Sequence, residues 1–73
     1  MSKTIKLKEL SDIYQLVGEA SKLEGDVLIK RGKFVVDAKS ILGILSIDMS
    51  QGATITYPDD TPAFDEFISK FEA

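Results

Sequence analysis

At 73 residues, the chain has room for one small domain, and domains of this size bury only about 60% of their unfolded surface. The absence of cysteine excludes a disulfide and a thiolate metal site, and the absence of histidine removes the most common general base and metal ligand. The net charge of −3, with its basic residues dispersed, argues against binding to a nucleic-acid backbone.

The first elements predicted along the chain are a strand and a helix. Thr4–Lys8 alternates apolar and basic residues, the period of a strand with one solvent-facing side. Ser11 is a candidate N-cap for a helix over residues 11–24, and Gly25 is a candidate residue to end it. The apolar residues of this helix recur at helical spacing: Ile13, Leu16, Val17, Ala20 and Leu23.

A β-hairpin follows this helix. Asp26–Lys30 and Lys33–Asp37 are two short apolar runs, and the Arg31-Gly32 pair lies between them. Two such runs joined by a glycine-containing pair are typical of a hairpin.

The second half of the chain predicts helix, strand and helix. Ser40 begins a short helix over Ile41–Ile47, and Ala53–Tyr57 alternates like a strand. Thr61 as N-cap and a proline directly after it predict a last helix over residues 62–72. The apolar face predicted to pack this helix into the core comprises Phe64, Phe67, Ile68 and Phe71.

The resulting order, β-α-β-β-α-β-α, predicts an α+β fold in a single domain over residues 1–73. A four-stranded, mostly antiparallel sheet with helices on one side buries every apolar face. No apolar run reaches the ~20 residues of a membrane span, and no signal-peptide pattern is present, so we expect a cytoplasmic protein without a membrane role.

The short helix carries more apolar residues than one helical face can bury. Ile44 and Ile47 are the residues expected to point inward. Some of the other apolar side chains, among Ile41, Leu42 and Leu45, are therefore expected to face water or a partner beside Ser40. A core position for these three is the simpler alternative.

Four segments of the chain resemble the HPr family, the small phosphocarrier proteins of the bacterial sugar phosphotransferase system. They are LVGEASK (Leu16–Lys22), GK (Gly32-Lys33), AKSILGILS (Ala38–Ser46) and QGATITY (Gln51–Tyr57). The resemblance implies an open-faced β-sandwich with antiparallel strands in the order 1-4-2-3 and three helices on one face.

The active site of the family does not carry over to this sequence. Family phosphocarriers have a His-x-Arg-Pro motif at the start of the first helix, and its histidine accepts phosphate. The matching positions are approximately Glu9, Ser11 and Asp12, none of which is His, Arg or Pro. Glu9 therefore marks the phosphohistidine position without its function, and the acidic side chains there would repel phosphate.

The resemblance assigns Ser40 to the regulatory serine that an ATP-dependent kinase phosphorylates in many Gram-positive relatives. It also implies that Ile41, Leu42 and Leu45 meet protein partners, with Lys39 adding charge at the rim of this surface. A plain N-cap explains Ser40 equally well from its position, and a solvated side chain explains Lys39.

These observations favour a regulatory protein-binding module that is not an enzyme and uses no cofactor. Its partner would be a protein: a serine kinase, a transcription regulator or a component of the phosphotransferase system. A phosphocarrier in the sugar uptake relay and an accessory structural subunit are the alternatives. The missing histidine argues against the first of these.

Overall fold

The fold is built on one four-stranded antiparallel sheet. The computed structural model describes all residues, 1–73. The strands are β1 (Ser2–Ile5), β2 (Leu28–Arg31), β3 (Phe34–Asp37) and β4 (Ala53–Thr56), and the helices are α1 (Leu10–Ser21), α2 (Ile41–Leu45) and α3 (Pro62–Ser69). The strand order is β1-β4-β2-β3, and a 3₁₀ turn at Met49–Gln51 precedes β4. The predicted α+β fold and strand order are confirmed.

The sheet has one apolar and one polar face because its side chains alternate in register. Ile29 of β2 pairs with Ile55 of β4 and with Val36 of β3. Both isoleucines are fully buried, whereas Thr54 and Thr56, one position away, are exposed. Since successive side chains of a strand point to opposite faces, all three helices cover the apolar face and leave the threonine face open.

The core contains only apolar side chains and tyrosine, and no buried polar side chain lacks a hydrogen bond. Its buried members are Ile5, Leu7, Leu16, Ala20, Val27, Ile29, Ala38, Ile44, Met49, Ala53, Ile55, Tyr57, Phe64 and Ile68. Leu16 and Ala20 of α1 and Phe64 and Ile68 of α3 are buried as predicted. The other predicted inward residues of these helices are only partly buried against this cluster: Ile13, Val17, Leu23, Phe67 and Phe71. No helix is long and apolar enough to cross a membrane.

The strands differ from their predicted bounds by a few residues. β1 ends at Ile5 rather than at Lys8, although Leu7 still enters the core. In the hairpin, Arg31 pairs with Phe34, so the turn consists of Gly32-Lys33 rather than Arg31-Gly32. Gly32 has φ +60°, a left-handed conformation that glycine adopts without strain.

The start of α1 differs from the prediction that Ser11 is its N-cap. The helix begins one residue earlier, at Leu10, and Glu9 is the cap. The Glu9 N–H donates to Asp12 Oδ2 at 3.3 Å, and the Asp12 N–H donates to the Glu9 carbonyl at 3.0 Å. Asp12, at the third helical position, thus binds the backbone of the cap residue, and the Ser11 hydroxyl does not cap the helix.

The end of α1 also differs, because the helix stops at Ser21 with Lys22 as its C-cap. Gly25 lies beyond the helix, and a Cβ there would come within 2.7 Å of Pro58 Cγ. This glycine therefore allows two loops to approach closely and does not terminate the helix.

The helix α3 starts at Pro62 as predicted, but the Thr61 side chain does not cap it. Thr61 Oγ1 donates instead to the Pro58 carbonyl at 2.8 Å, which stabilises the preceding turn.

The Phe64 ring of α3 contacts Tyr57 edge-on at a centroid distance of 5.3 Å. The Tyr57 hydroxyl donates to Asp65, and Lys3 Nζ lies 3.1 Å from the same carboxylate oxygen. These contacts attach α3 firmly to β1 and to the end of β4.

Candidate functional site

Ser40 caps the short helix α2, as its sequence position predicts. Its backbone is extended, with φ −110° and ψ 111°, and the Gly43 N–H donates to Ser40 Oγ at 3.1 Å. The Ile44 N–H donates to the Ser40 carbonyl at 3.1 Å. The side chain is partly exposed, so the hydroxyl has a structural role and is still reachable from solvent.

Lys39 is not a freely solvated rim lysine. Its ammonium group donates to the Leu23 carbonyl at 2.7 Å, just beyond the end of α1. Its backbone N–H donates to Asp37 Oδ1 at 2.8 Å. Lys39 therefore connects the segment before α2 to the end of α1, a contact between distant parts of the chain that the local sequence did not indicate.

The apolar side chains of α2 divide between core and surface. Ile44 is fully buried, Ile41 is partly buried, and Leu42 and Leu45 are 81% and 48% exposed. A Cβ on Gly43 would lie 3.3 Å from Val36 Cβ, which shows how closely α2 packs on β3. This close packing presses one face of the helix into the sheet and leaves Leu42 and Leu45 on the other.

A shallow groove lined by both apolar and polar side chains joins α2 to the start of α1. Its apolar lining is Leu7, Leu10, Ile13, Leu45, Ile47 and Met49. Leu10 is exposed and extends the surface formed by Leu42 and Leu45. Sequence reasoning missed Leu10 because it placed the helix start at Ser11, although Leu10 precedes Ile13 at helical spacing. The three residues Leu10, Leu42 and Leu45 are called the α2 surface below.

The start of α1 carries a mixed charge rather than the purely acidic one that was expected. Glu9 is exposed at the cap. An open groove beside it contains three lysines as well as acidic side chains: Lys6, Lys8, Asp12, Lys70 and Glu72. No group of three or more potential metal-ligating side chains is present.

Comparisons with known proteins agree with this geometry. Residues 12–72 match the family described as the PTS HPr component phosphorylation site, and Glu9 precedes the matched segment. The structure is similar to a phosphocarrier protein HPr from Bacillus anthracis str. Ames, with TM-score 0.73 and 27% identity, over 100% of this chain and 96% of that one.

A second similar structure is HPr-C-His from Thermoanaerobacter tengcongensis, with TM-score 0.77 over 96% of this chain and 88% of that one. Its 24% identity supports the fold alone. A search of curated proteins found no significant match. Because the family match covers most of the chain and the topology agrees, the chain belongs to the HPr family of the phosphotransferase system.

Proposed function

We propose that this protein is a regulatory binding module of the phosphotransferase system that recognises other proteins through the α2 surface. The observation that carries the proposal is the exposure of Leu42 and Leu45 directly beside the Ser40 cap. Apolar side chains that are not needed for the core, on a helix that is packed rigidly on the sheet, suit the recognition of a protein surface.

Ser40 is the proposed regulatory phosphorylation site within this surface. A phosphate on its Oγ would add close to two negative charges at the start of α2. Its oxygens would accept the Gly43 N–H that the hydroxyl now accepts. The Lys39 ammonium donates to the Leu23 carbonyl, so it is held away from a direct role in capping Ser40, and we expect the new charge to be presented to a partner beside Leu42.

We propose that the chain does not transfer phosphate in the sugar relay. It contains no histidine, and the cap of α1 pairs the Glu9 N–H with the Asp12 carboxylate. The Asp12 carboxylate already places a negative charge in the first turn of α1, where it would repel a bound anion. The proposed partners are therefore a serine kinase and either a transcription regulator or another component of the phosphotransferase system.

The Ser40 assignment is tested by incubation with ATP and the serine kinase of a Gram-positive relative, followed by intact mass measurement. We expect one added phosphate on the wild type and none on Ser40→Ala. The matched control is Ser46→Ala, because Ser46 lies at the other end of the same helix and its hydroxyl donates to the Gly43 carbonyl. Phosphorylation that persists in Ser40→Ala would contradict the assignment.

The recognition surface is tested with the same kinase by comparing two identical substitutions. Leu42 and Leu28 are both exposed leucines, but Leu28 pairs with Thr56 on the open face of the sheet. We expect Leu42→Ser to raise the KM of the kinase for this protein substantially and Leu28→Ser to leave it unchanged. Equal effects of both substitutions would argue against the α2 surface.

The absence of phosphocarrier activity is tested with the first enzyme of the relay and phosphoenolpyruvate. We expect no acid-labile phosphate on this protein, with a histidine-containing HPr as the positive control. Transfer to this chain would establish the alternative function.

A further inference from the structure

The two edges of the sheet are treated differently by the fold. The outer edge of β1 is covered by residues 71–73. The Ala73 N–H donates to the Thr4 carbonyl at 2.9 Å, and the Lys6 N–H donates to the Phe71 carbonyl at 2.9 Å. Ile5 and Glu72 form an antiparallel bridge between these two bonds. The β1 edge therefore offers no free ladder of backbone groups.

The outer edge of β3 has no such cover. Residue pairs across an antiparallel ladder alternate between hydrogen-bonded and non-hydrogen-bonded. The Ala38 N–H donates to the Val27 carbonyl at 2.8 Å, so these two residues form a hydrogen-bonded pair. Val36 and Phe34 lie two and four residues before Ala38, so they also form hydrogen-bonded pairs with β2. The N–H and C=O of Val35 and the N–H of Asp37 consequently point away from the sheet, and no turn or loop bond reaches them.

The side chains of this edge are unusually apolar for an unpaired strand. Phe34 is 68% exposed and Val35 is 56% exposed. Natural proteins normally protect an open edge with charge, proline or a covering segment, because free backbone groups beside apolar side chains pair readily with another strand. Nothing in this chain covers Val35, so the edge is suited to pairing with a further strand.

The charges that flank Val35 are complementary under a two-fold axis. Lys33 lies two residues before Val35, and Asp37 lies two residues after it. Lys33 forms none of the three salt bridges of the chain, and Asp37 accepts only the Lys39 N–H through its side chain. When this segment pairs antiparallel with itself about Val35, Lys33 of each copy lies opposite Asp37 of the other.

We infer that two copies of this chain associate through antiparallel pairing of their β3 edges, centred on Val35. The two Val35 residues then form a hydrogen-bonded pair, flanked by two Lys33–Asp37 pairs. A register shifted by two residues in one direction would place Lys33 opposite Lys39 and so would bring like charges together. The opposite shift would place Lys33 opposite Val35 and leave it without an acidic partner. Charge complementarity therefore selects a second copy in one register.

This pairing extends the sheet across both copies and keeps all helices on one side of it. Phe34 of one copy lies opposite Val36 of the other on the helix-covered face, which brings its exposed ring toward the second copy. The contact is one short strand wide, and we therefore expect a weak dimer that dissociates on dilution.

The first test is sedimentation equilibrium of the whole chain over concentrations up to the millimolar range. We expect the wild type to reach twice the monomer mass and Val35→Pro to stay monomeric, because proline removes the outward N–H without breaking a bond to β2. Val35→Thr is the matched control, since it keeps the N–H and the β-branched shape. A wild type that stays monomeric, or a dimer unaffected by Val35→Pro, would overturn the inference.

The second test examines the register and does not depend on the proline variant folding. We expect Lys33→Glu and Asp37→Lys each to raise the dimer dissociation constant on the order of tenfold. Each substitution places like charges opposite each other at two positions in the dimer. The double variant restores opposite charges and should recover the wild-type dissociation constant. Failure of the double variant to recover, with both single variants weakened, would overturn the Val35-centred pairing.

Discussion

The helices α2 and α3 pack on the same face of one sheet but use their apolar residues in opposite ways. Phe64 and Ile68 of α3 are buried, and its remaining phenylalanine, Phe67, packs against the core from the side. Of the four apolar residues on α2, only Ile44 is fully buried. The comparison indicates that α3 uses its apolar residues mainly for the core, whereas α2 buries only one of them fully and leaves Leu42 and Leu45 exposed.

The largest effect is expected from Phe64→Ala in α3. The ring is only 3% exposed and packs edge-on against Tyr57, so truncation removes apolar burial and leaves a cavity. We expect a loss of about 3–5 kcal/mol in the free energy of unfolding, measured by urea denaturation. Leu42→Ala on the exposed side of α2 is the control and should change stability by less than about 0.5 kcal/mol. Equal losses for both variants would erase the distinction between the helices.

Ile44→Ala should have the next largest effect, because Ile44 is the one fully buried residue of α2. We expect a loss of about 2–5 kcal/mol, measured in the same way. The milder Ile44→Val should cost about 0.5–1.5 kcal/mol. Stability of Ile44→Ala close to that of the wild type would show that α2 is not anchored through this side chain.

Ser40→Ala should reduce stability by about 1 kcal/mol, the usual contribution of an N-cap hydroxyl. The reason is that the Gly43 N–H loses its acceptor within the chain. Ser40→Asp retains an acceptor and should lose less. An unchanged denaturation midpoint for Ser40→Ala would mean that the cap contributes nothing and that the serine is kept for another reason.

A pH-dependent effect is expected from Tyr57, which lies between β4 and α3. Burial of the hydroxyl, followed by its hydrogen bond to Asp65, raises the pKa of Tyr57 to about 12. Because the pKa is higher in the folded state, Tyr57 contributes fully to the free energy of unfolding below its unfolded pKa of about 10. This contribution is lost as pH rises through about 12. We therefore expect the stability of the wild type to fall relative to Tyr57→Phe between these two pH values.

This titration can be observed directly by phenolate absorbance in a Tyr14→Phe background, where Tyr57 is the remaining tyrosine. Asp65→Asn removes the carboxylate that accepts the hydrogen bond from the hydroxyl and should lower the midpoint of the Tyr57 titration.

The hydrogen bond from Tyr57, and then that from Lys3, lowers the pKa of Asp65. Asp65 accordingly contributes to the free energy of unfolding at neutral pH, and this contribution is lost as pH falls through its lowered pKa.

Element order and the main core positions could be predicted because they depend on local periodicity. Alternation in the first and last strands indicated that Ile5 and Ile55 point inward, and both are fully buried. The surplus of apolar residues on α2 likewise predicted that some would be exposed, as Leu42 and Leu45 are. The exposure of these two leucines is thus confirmed, and the site beside Ser40 stays a prediction.

The helix ends were predicted less well because a side chain with capping chemistry can bond to a group outside the helix, or leave the cap to a neighbouring residue. Ser11 and Thr61 are residue types that commonly serve as N-caps, but neither side chain caps its helix. Asp12 accepts from the Glu9 N–H instead, and the Thr61 hydroxyl donates to the Pro58 carbonyl. Which competitor prevails depends on the direction in which the chain enters the helix, and that direction is set by packing.

The sequence by itself determined the alternation of strands and helices, the apolar faces and the excess of apolar side chains beside Ser40. Only the tertiary structure decided that Lys39 binds the Leu23 carbonyl, that Gly25 yields space to Pro58, and that one sheet edge is covered while Val35 stays open. These features join residues far apart in the chain, and local periodicity carries no information about such contacts.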